Sequence, residues 1–222
     1  MAGLLVKICG LSTPETVRAA LAAGADMVGL VFHRRSPRYV TPEAARALAG
    51  LARGKATVTA LLVDPDDALL DTVLRATEAD LLQLHGSETP ERVTEIRRLT
   101  GRPVMKALGI ATAADLAQIA RYRGVADRLL LDAKPPKDAA YPGGHGRPFD
   151  WGVLDGIDPA LPFMLSGGLS PVNVAQAVAR VRQGGERLEG VDVSSGVESA
   201  PGVKDEAAIR AFIAAARGIE RL

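Results

Sequence analysis

Short apolar runs alternate along the chain with longer stretches in which apolar residues recur every three or four positions. The first pattern predicts buried strands and the second predicts amphipathic helices. Runs at residues 4–8, 27–32, 57–63, 80–84, 103–108, 127–131, 162–165 and 188–193 read as eight strands. A first helix opens at Ser12-Thr-Pro-Glu15 and stops at Gly24, a second runs from Thr41-Pro-Glu43 to Ala49, and a third from the cap Asp64-Pro-Asp66 to about Ala76. A fourth opens at Thr89-Pro-Glu91, and further helices are expected over 112–121, 171–181 and 205–218, with a short one near 150–156. The recurrent cap has a physical cause: proline needs no amide partner at a helix start, and an acid there favours the helix dipole.

After the sixth strand the rhythm breaks. Residues 133–149 hold four prolines and three glycines, including Pro135-Pro136 and Gly143-Gly-His-Gly146, and read as a long irregular loop of the kind that usually carries function. Eight strand–helix repeats predict an α/β protein, a single (β/α)8 TIM barrel spanning residues 1–222 as one catalytic domain. A doubly wound sheet is the runner-up. It is disfavoured because no Gly-x-Gly-x-x-Gly follows the first strand, while Gly/Ser turns follow the seventh and eighth.

Composition narrows the chemistry. With 222 residues and 47% hydrophobic content the chain can bury a sizeable core. Its 27 basic and 26 acidic residues are spread evenly, so the net charge of +1 offers no field for nucleic acid or an anionic membrane, and an anion must be recognised locally. Cys9 is the one cysteine, which excludes an internal disulfide and a multi-thiolate zinc site. The opening residues lack a basic n-region, and no apolar run reaches membrane-spanning length, so the expected address is the cytoplasm.

The catalytic groups of such a barrel stand where strands run into their following loops. Ser166-Gly-Gly-Leu169 and Asp192-Val-Ser-Ser-Gly-Val-Glu198 form a pair of Gly/Ser turns after the last two strands, an arrangement suited to a phosphate. Gly167, Gly168, Ser194, Ser195 and Gly196 are its expected donors. Strand one ends at Cys9-Gly10, strand two leads into a basic loop containing Arg38, strand four ends at His85-Gly86 and strand six at Asp132. Taken singly, each has a plain structural reading: Cys9 as core filling, the basic loop as a solvated turn, His85 as a hydrogen-bonder. Asp132 is harder to dismiss, because an acid directly after a buried strand needs partners or a purpose. Lys7 shares a strand face with Cys9, which predicts a lowered thiol pKa and a larger thiolate fraction. Desolvation of Asp132 favours its acid form, and Lys134, on the same parity, opposes that.

The motifs Lys7-Ile-Cys-Gly-Leu11, Gly29-Leu-Val-Phe32 with Ser36-Pro-Arg-Tyr39, Leu62-Val-Asp-Pro65, Gln83-Leu-His-Gly86, Leu131-Asp-Ala133, Phe149-Asp-Trp151, Leu165-Ser-Gly-Gly-Leu169 and Asp192-Val-Ser-Ser-Gly-Val-Glu-Ser199 with Pro201-Gly-Val-Lys-Asp205 run through the chain in order. Together they resemble the phosphoribosylanthranilate isomerases. The resemblance implies a cofactor-free and metal-free (β/α)8 enzyme of tryptophan biosynthesis. Its reaction is the Amadori rearrangement of N-(5-phosphoribosyl)anthranilate to the carboxyphenylamino-deoxyribulose phosphate. By motif position it implies Cys9 as general base, Asp132 as general acid, Arg38 as partner of the anthranilate carboxylate, and Lys7, His85 and the Gly/Ser turns as substrate-binding residues. The family pattern before Phe149 is Gly-Gly-Thr-Gly, whereas here His145 takes the third place, either reaching substrate or facing solvent.

Three other readings stand beside this one. The related isomerase of histidine biosynthesis, or an enzyme serving both pathways, carries an Asp after strand one where this chain has Cys9. A catalytically silent phosphate-binding module is expected to lose Cys9 or Asp132, and both are present. A redox-active Cys9 lacks a resolving cysteine in the chain. The expected partner is a small-molecule substrate, with neither nucleic acid nor membrane, and the assembly is a monomer or a homodimer.

Overall fold

The computed structural model describes residues 3–134, 149–158, 162–184 and 187–218. The loop expected over 133–149, including His145, falls largely outside them. Eight parallel strands form a closed barrel in sequence order: β1 (Leu5–Cys9), β2 (Met27–Val31), β3 (Thr57–Leu62), β4 (Leu81–Leu84), β5 (Val104–Ile110), β6 (Arg128–Ala133), β7 (Phe163–Leu165) and β8 (Leu188–Val193). Closure comes from β8 pairing with β1, with Lys7 opposite Asp192. Helices α1 (Pro14–Ala22), α2 (Pro42–Ala52), α3 (Asp67–Thr77), α4 (Pro90–Thr100), a four-residue α5 (Ile119–Tyr122), α6 (Val174–Gln183) and α7 (Glu206–Gly218) follow their strands.

The twofold alternation of a strand divides the core in two. Most buried apolar side chains lie between the sheet and the helices. A smaller cluster of Met27, Leu81, Met105, Ala107, Leu130 and Met164, with Leu5 against it, fills the barrel floor. On the same inward parity, nearer the ends of the strands, stand Lys7, Cys9, Thr59, Gln83, Asp132 and Asp192, all buried. The mouth of the barrel is therefore polar by the same period that makes its floor apolar.

Helix starts follow their caps. The Thr13, Thr41 and Thr89 hydroxyls accept N–H of Thr16, Ala44 and Arg92, with proline next and glutamate after it, and Asp66 caps α3 through Leu69 N–H. At the opposite end of the barrel an Ala-Asp pair precedes every even strand up to β6. Asp26, Asp80 and Asp127 each accept the backbone N–H of the strand before, from Val6, Val58 and Val104, at 2.7–2.8 Å.

Several boundaries differ from the sequence expectation. The helix predicted over 112–121 is a 3-10 stretch, Ala113–Gln118, followed by the single turn of α5. Asp115 holds that first turn tight by accepting from the backbone of Ala111 and Thr112. The stretch near 150–156 is likewise 3-10, Trp151–Gly156. Helix α6 starts at Val174 and not at 171, because Asn173 spends its side chain on Ser170 N–H and Gly168 C=O and keeps the preceding residues in a turn. A hairpin of β9 (Glu198–Ala200) and β10 (Val203–Lys204) was not foreseen.

Candidate active site

The floor of the mouth is an ion pair. Lys7 is wholly buried on β1, and its Nζ lies 2.8 Å from Asp192 Oδ1, directly across the β1–β8 closure. Ser166 at the end of β7 donates to the other oxygen, Asp192 Oδ2. Burial works against the Lys7 charge, but the field and hydrogen bond of Asp192 outweigh it and push the pKa above its ordinary value. Cys9 sits above Lys7, in space left by Gly29: a Cβ there would stand 2.9 Å from Cys9 Sγ and 3.2 Å from Lys7 Nζ.

The thiol itself is pushed up. Burial dominates, Lys7 and Lys204 pull the other way, and Asp192 adds to the rise. The expectation of a thiol acidified by Lys7 is thus overturned, because Asp192 neutralises that ammonium and desolvation decides the sign.

Asp132 stands next to the last residue of β6. Its Oδ2 lies 3.2 Å from Nε2 of His85, the residue after β4, while Oδ1 accepts Ala133 N–H at 2.9 Å. His85 Nδ1 in turn lies 3.1 Å from Gln83 Nε2. Lys134, expected to act on Asp132, instead reaches Asp115 at 2.8 Å, and this pair holds the Asp115 carboxyl down at about 2. The loop carrying His85 is anchored by Glu88, which accepts N–H of Asp64 and Gly86 and pairs with buried Lys106 at 2.8 Å.

The Gly/Ser turns pack on one another. Gly167 and Gly168 both have positive φ, and a Cβ on Gly167 would strike Ala133 N at 2.3 Å. One on Gly196 would strike Leu169 O at 1.9 Å, so the loops after β7 and β8 meet with no room for side chains. Ser195 opens a short 3-10 turn, Ser195–Val197. The Ser194 hydroxyl is engaged within the protein, donating to Cys9 C=O and lying 3.2 Å from Lys204 Nζ.

Arg38, 4% exposed, lies over Gly10, where a Cβ would meet its Cδ at 2.6 Å. Its guanidinium grips Glu198 at both oxygens, Nε to Oε1 at 2.7 Å and Nη2 to Oε2 at 2.9 Å. Lys204 from β10 also reaches Glu198 Oε1 at 2.7 Å. Burial alone would raise the Glu198 carboxyl, but Arg38 and Lys204 outweigh it and hold it below the ordinary range. Two basic side chains on one carboxylate make this part of the mouth a place for an anion.

The family model for N-(5'phosphoribosyl)anthranilate (PRA) isomerase matches residues 6–215. The N-(5'-phosphoribosyl)anthranilate isomerase of Azorhizobium caulinodans is 57% identical over 97% of this chain and 92% of its own. The chain belongs to this family. The phosphoribosyl anthranilate isomerase of Thermotoga maritima superimposes with a TM-score of 0.84 at 34% identity, covering 97% of this chain and 99% of that one. A phosphoribosyl anthranilate isomerase in complex with reduced 1-(o-carboxyphenylamino)-1-deoxyribulose 5-phosphate gives 0.80 at 32% identity over the same shares.

Within this isomerase, Lys7, Cys9, His85, Asp132 and both Gly/Ser turns reach one end of the barrel, and Arg38 lies over the end of β1. Sequence reasoning gave no role to Asp192, Glu198, Lys204, Gln83 or Gly29. Asp192 and Gln83 share the inward parity of Cys9 and His85, a signal legible once the strands are assigned. The bond from Glu198 to Arg38 joins residues 160 apart and had no local signal.

Proposed function

We propose that this isomerase converts N-(5'-phosphoribosyl)anthranilate to 1-(2-carboxyphenylamino)-1-deoxyribulose 5-phosphate, with Asp132 as the general acid and Cys9 as the general base. The observation that carries the assignment is their placement: two buried inward groups near the ends of β6 and β1, at the barrel end that also holds the Gly/Ser turns and Arg38. The backbone N–H groups of the turns at Gly167, Gly168, Ser195 and Gly196 take the 5-phosphate, with Ser194 fixing their frame. Arg38, backed by Glu198, takes the anthranilate carboxylate, and Lys7 holds its charge beneath the reacting carbon. Binding energy from these unreactive ends places the sugar between acid and base.

The acid acts first. A proton delivered to the ribose ring oxygen lets the C1–O bond break, and the anilino nitrogen donates its electron pair to form a C1=N iminium. That cation acidifies the C2 proton and favours a neighbouring thiolate, which offsets the raised pKa of Cys9 in the free enzyme. Cys9 then removes the C2 proton, and the enolamine tautomerises to the ketone. The whole sequence is proton transfer within one barrel, working in the cytoplasm as a monomer or a homodimer, a choice that light scattering on the purified chain decides.

The test is turnover of freshly generated phosphoribosylanthranilate, followed by loss of its fluorescence. Wild type is active, and Cys9→Ser and Asp132→Asn each lower kcat by about a hundredfold or more with the fold intact. A wild type inert on this substrate removes the substrate assignment, and an Asp132→Asn enzyme with full kcat removes the acid.

A further inference from the structure

The assignment of Asp132 as the acid leaves open how the acid holds its proton. Asp132 accepts Ala133 N–H on Oδ1 at 2.9 Å, and His85 Nε2 lies 3.2 Å from Oδ2, within ion-pair reach. Ala133 N–H cannot accept the proton that an acid must carry, and Nε2 can do so only while it is bare. Gln83 decides which. His85 Nδ1 faces Gln83 Nε2, an amide nitrogen that can only donate, so with the amide as placed Nδ1 accepts and the ring proton is on Nε2, on the side of Asp132. Gln83 itself is wholly buried, and its Oε1 has no hydrogen-bond partner. Such an orphan is uncommon in a folded interior and asks for an explanation.

Half a rotation of the amide exchanges its two ends. Oε1 then faces Nδ1, and the contact is favourable only if Nδ1 carries a hydrogen. We propose that His85 and Asp132 act as one acid, with a single transferable proton held between Nε2 and Oδ2, and that Gln83 is the positioning residue whose amide turns as the pair is loaded. In the loaded pair Nδ1–H donates to Gln83 Oε1 and the second proton lies between His85 and Asp132. On ring opening that proton passes through Oδ2 to the ribose oxygen, which also takes the electron pair of the breaking C1–O bond. Nδ1 keeps its hydrogen on Gln83 Oε1 through turnover, solvent returns one proton to the Nε2–Oδ2 pair after product leaves, and the amide turns back only when Nδ1 gives its hydrogen to solvent. The amide orientation in the structure is the one that fits the unloaded pair.

The surroundings suit such a relay. Lys134, the cation nearest in sequence to Asp132, is turned to Asp115, and the His85 loop is pinned through Glu88 to Gly86 N–H and Lys106. The ring therefore has a fixed seat, and the amide beside it is the part with an unmet bond.

Turnover and ring nitrogen chemical shifts test this together. Gln83→Met removes both amide atoms and lowers kcat about tenfold to a hundredfold while KM stays within about threefold. Gln83→Glu supplies a fixed acceptor at Nδ1 and keeps kcat within about tenfold of wild type. His85→Gln retains a donor toward Asp132 but no site for a second proton, and it loses kcat as Gln83→Met does. In 15N-labelled protein the His85 Nδ1 signal is that of a bare nitrogen in wild type and of a protonated one in Gln83→Glu at the same pH. Full activity in His85→Gln, or a bare Nδ1 in a folded Gln83→Glu, overturns the proposal. Asp132→Asn separates the two levels: full kcat there removes the acid assignment, whereas a dead Asp132→Asn beside an unaffected Gln83→Met and His85→Gln leaves Asp132 as the acid and removes the relay alone.

Discussion

The thiol of Cys9 lies against Lys7, and proximity to an ammonium ordinarily draws a cysteine towards thiolate. Asp192 cancels that pull at 2.8 Å from Lys7, and burial then lifts the thiol above its ordinary value of about 9. A base with a raised pKa is active only in its deprotonated form, so kcat/KM, which reports the free enzyme, should still be climbing at about pH 9. A pH–rate profile that flattens near neutrality would show that another group is the base. The neighbouring Gly29 makes a second prediction at this scale. Alanine there brings a Cβ within 2.9 Å of Sγ and 3.1 Å of the Cys9 backbone, so the thiol must move. Displacement of a catalytic atom by a fraction of an ångström lowers kcat by about tenfold or more, while the overpacking costs about 1–3 kcal/mol. Parallel kinetics and urea unfolding of Gly29→Ala check both.

The β9–β10 hairpin is the element that ties the anion sites together. Glu198 from its first strand grips Arg38, Lys204 from its second reaches Glu198 and Ser194, and Gly202 at its tip has no room for a Cβ, which would lie 2.4 Å from Pro37 O. Glu198→Gln leaves two buried basic side chains without their counter-charge, and stability should fall by about 3–5 kcal/mol in chemical denaturation. The sign of its pH dependence follows from the lowered carboxyl. Stability from Glu198 is complete above its ordinary pKa of 4.5 and is lost as the pH falls through the lower folded value. The variant should therefore lack part of the wild-type loss of stability below about pH 4.5. None of this was legible from periodicity. The hairpin strands are three and two residues long, too short for an alternation to show, and the partner of Glu198 lies far away in sequence, in the loop after β2.

At the scale of the molecule, the eight strands were legible because each is a short apolar run, the first four of them followed by helices with side-chain caps, and the parity of those runs carried Lys7, Cys9 and Asp132 to one face. Helix type over 113–122 was not legible, since it depends on Asp115 accepting local N–H groups and a cation from the next βα loop. The sign of the Cys9 shift was missed for a related reason: closure of β8 on β1, which brings Asp192 to Lys7, is a property of the whole ring. The same closure explains the opposite face. Asp26, Asp80 and Asp127 staple strand N–H groups at the barrel floor, and Asp26 also meets Arg217 from the last helix, which reaches Leu4 C=O and Gly24 C=O. Removing the carboxylate of Asp80 leaves one strand N–H without its partner, a loss of about 1–3 kcal/mol. Asp26→Ala and Asp127→Ala should cost more, because each also frees a guanidinium, Arg217 of α7 and Arg97 of α4. All three lie at the end of the barrel away from Cys9 and Asp132, so kcat should stay within about twofold of wild type while the urea midpoint falls, the separation of floor and mouth that a (β/α)8 barrel predicts. A variant among them that lost activity without losing stability would contradict that separation.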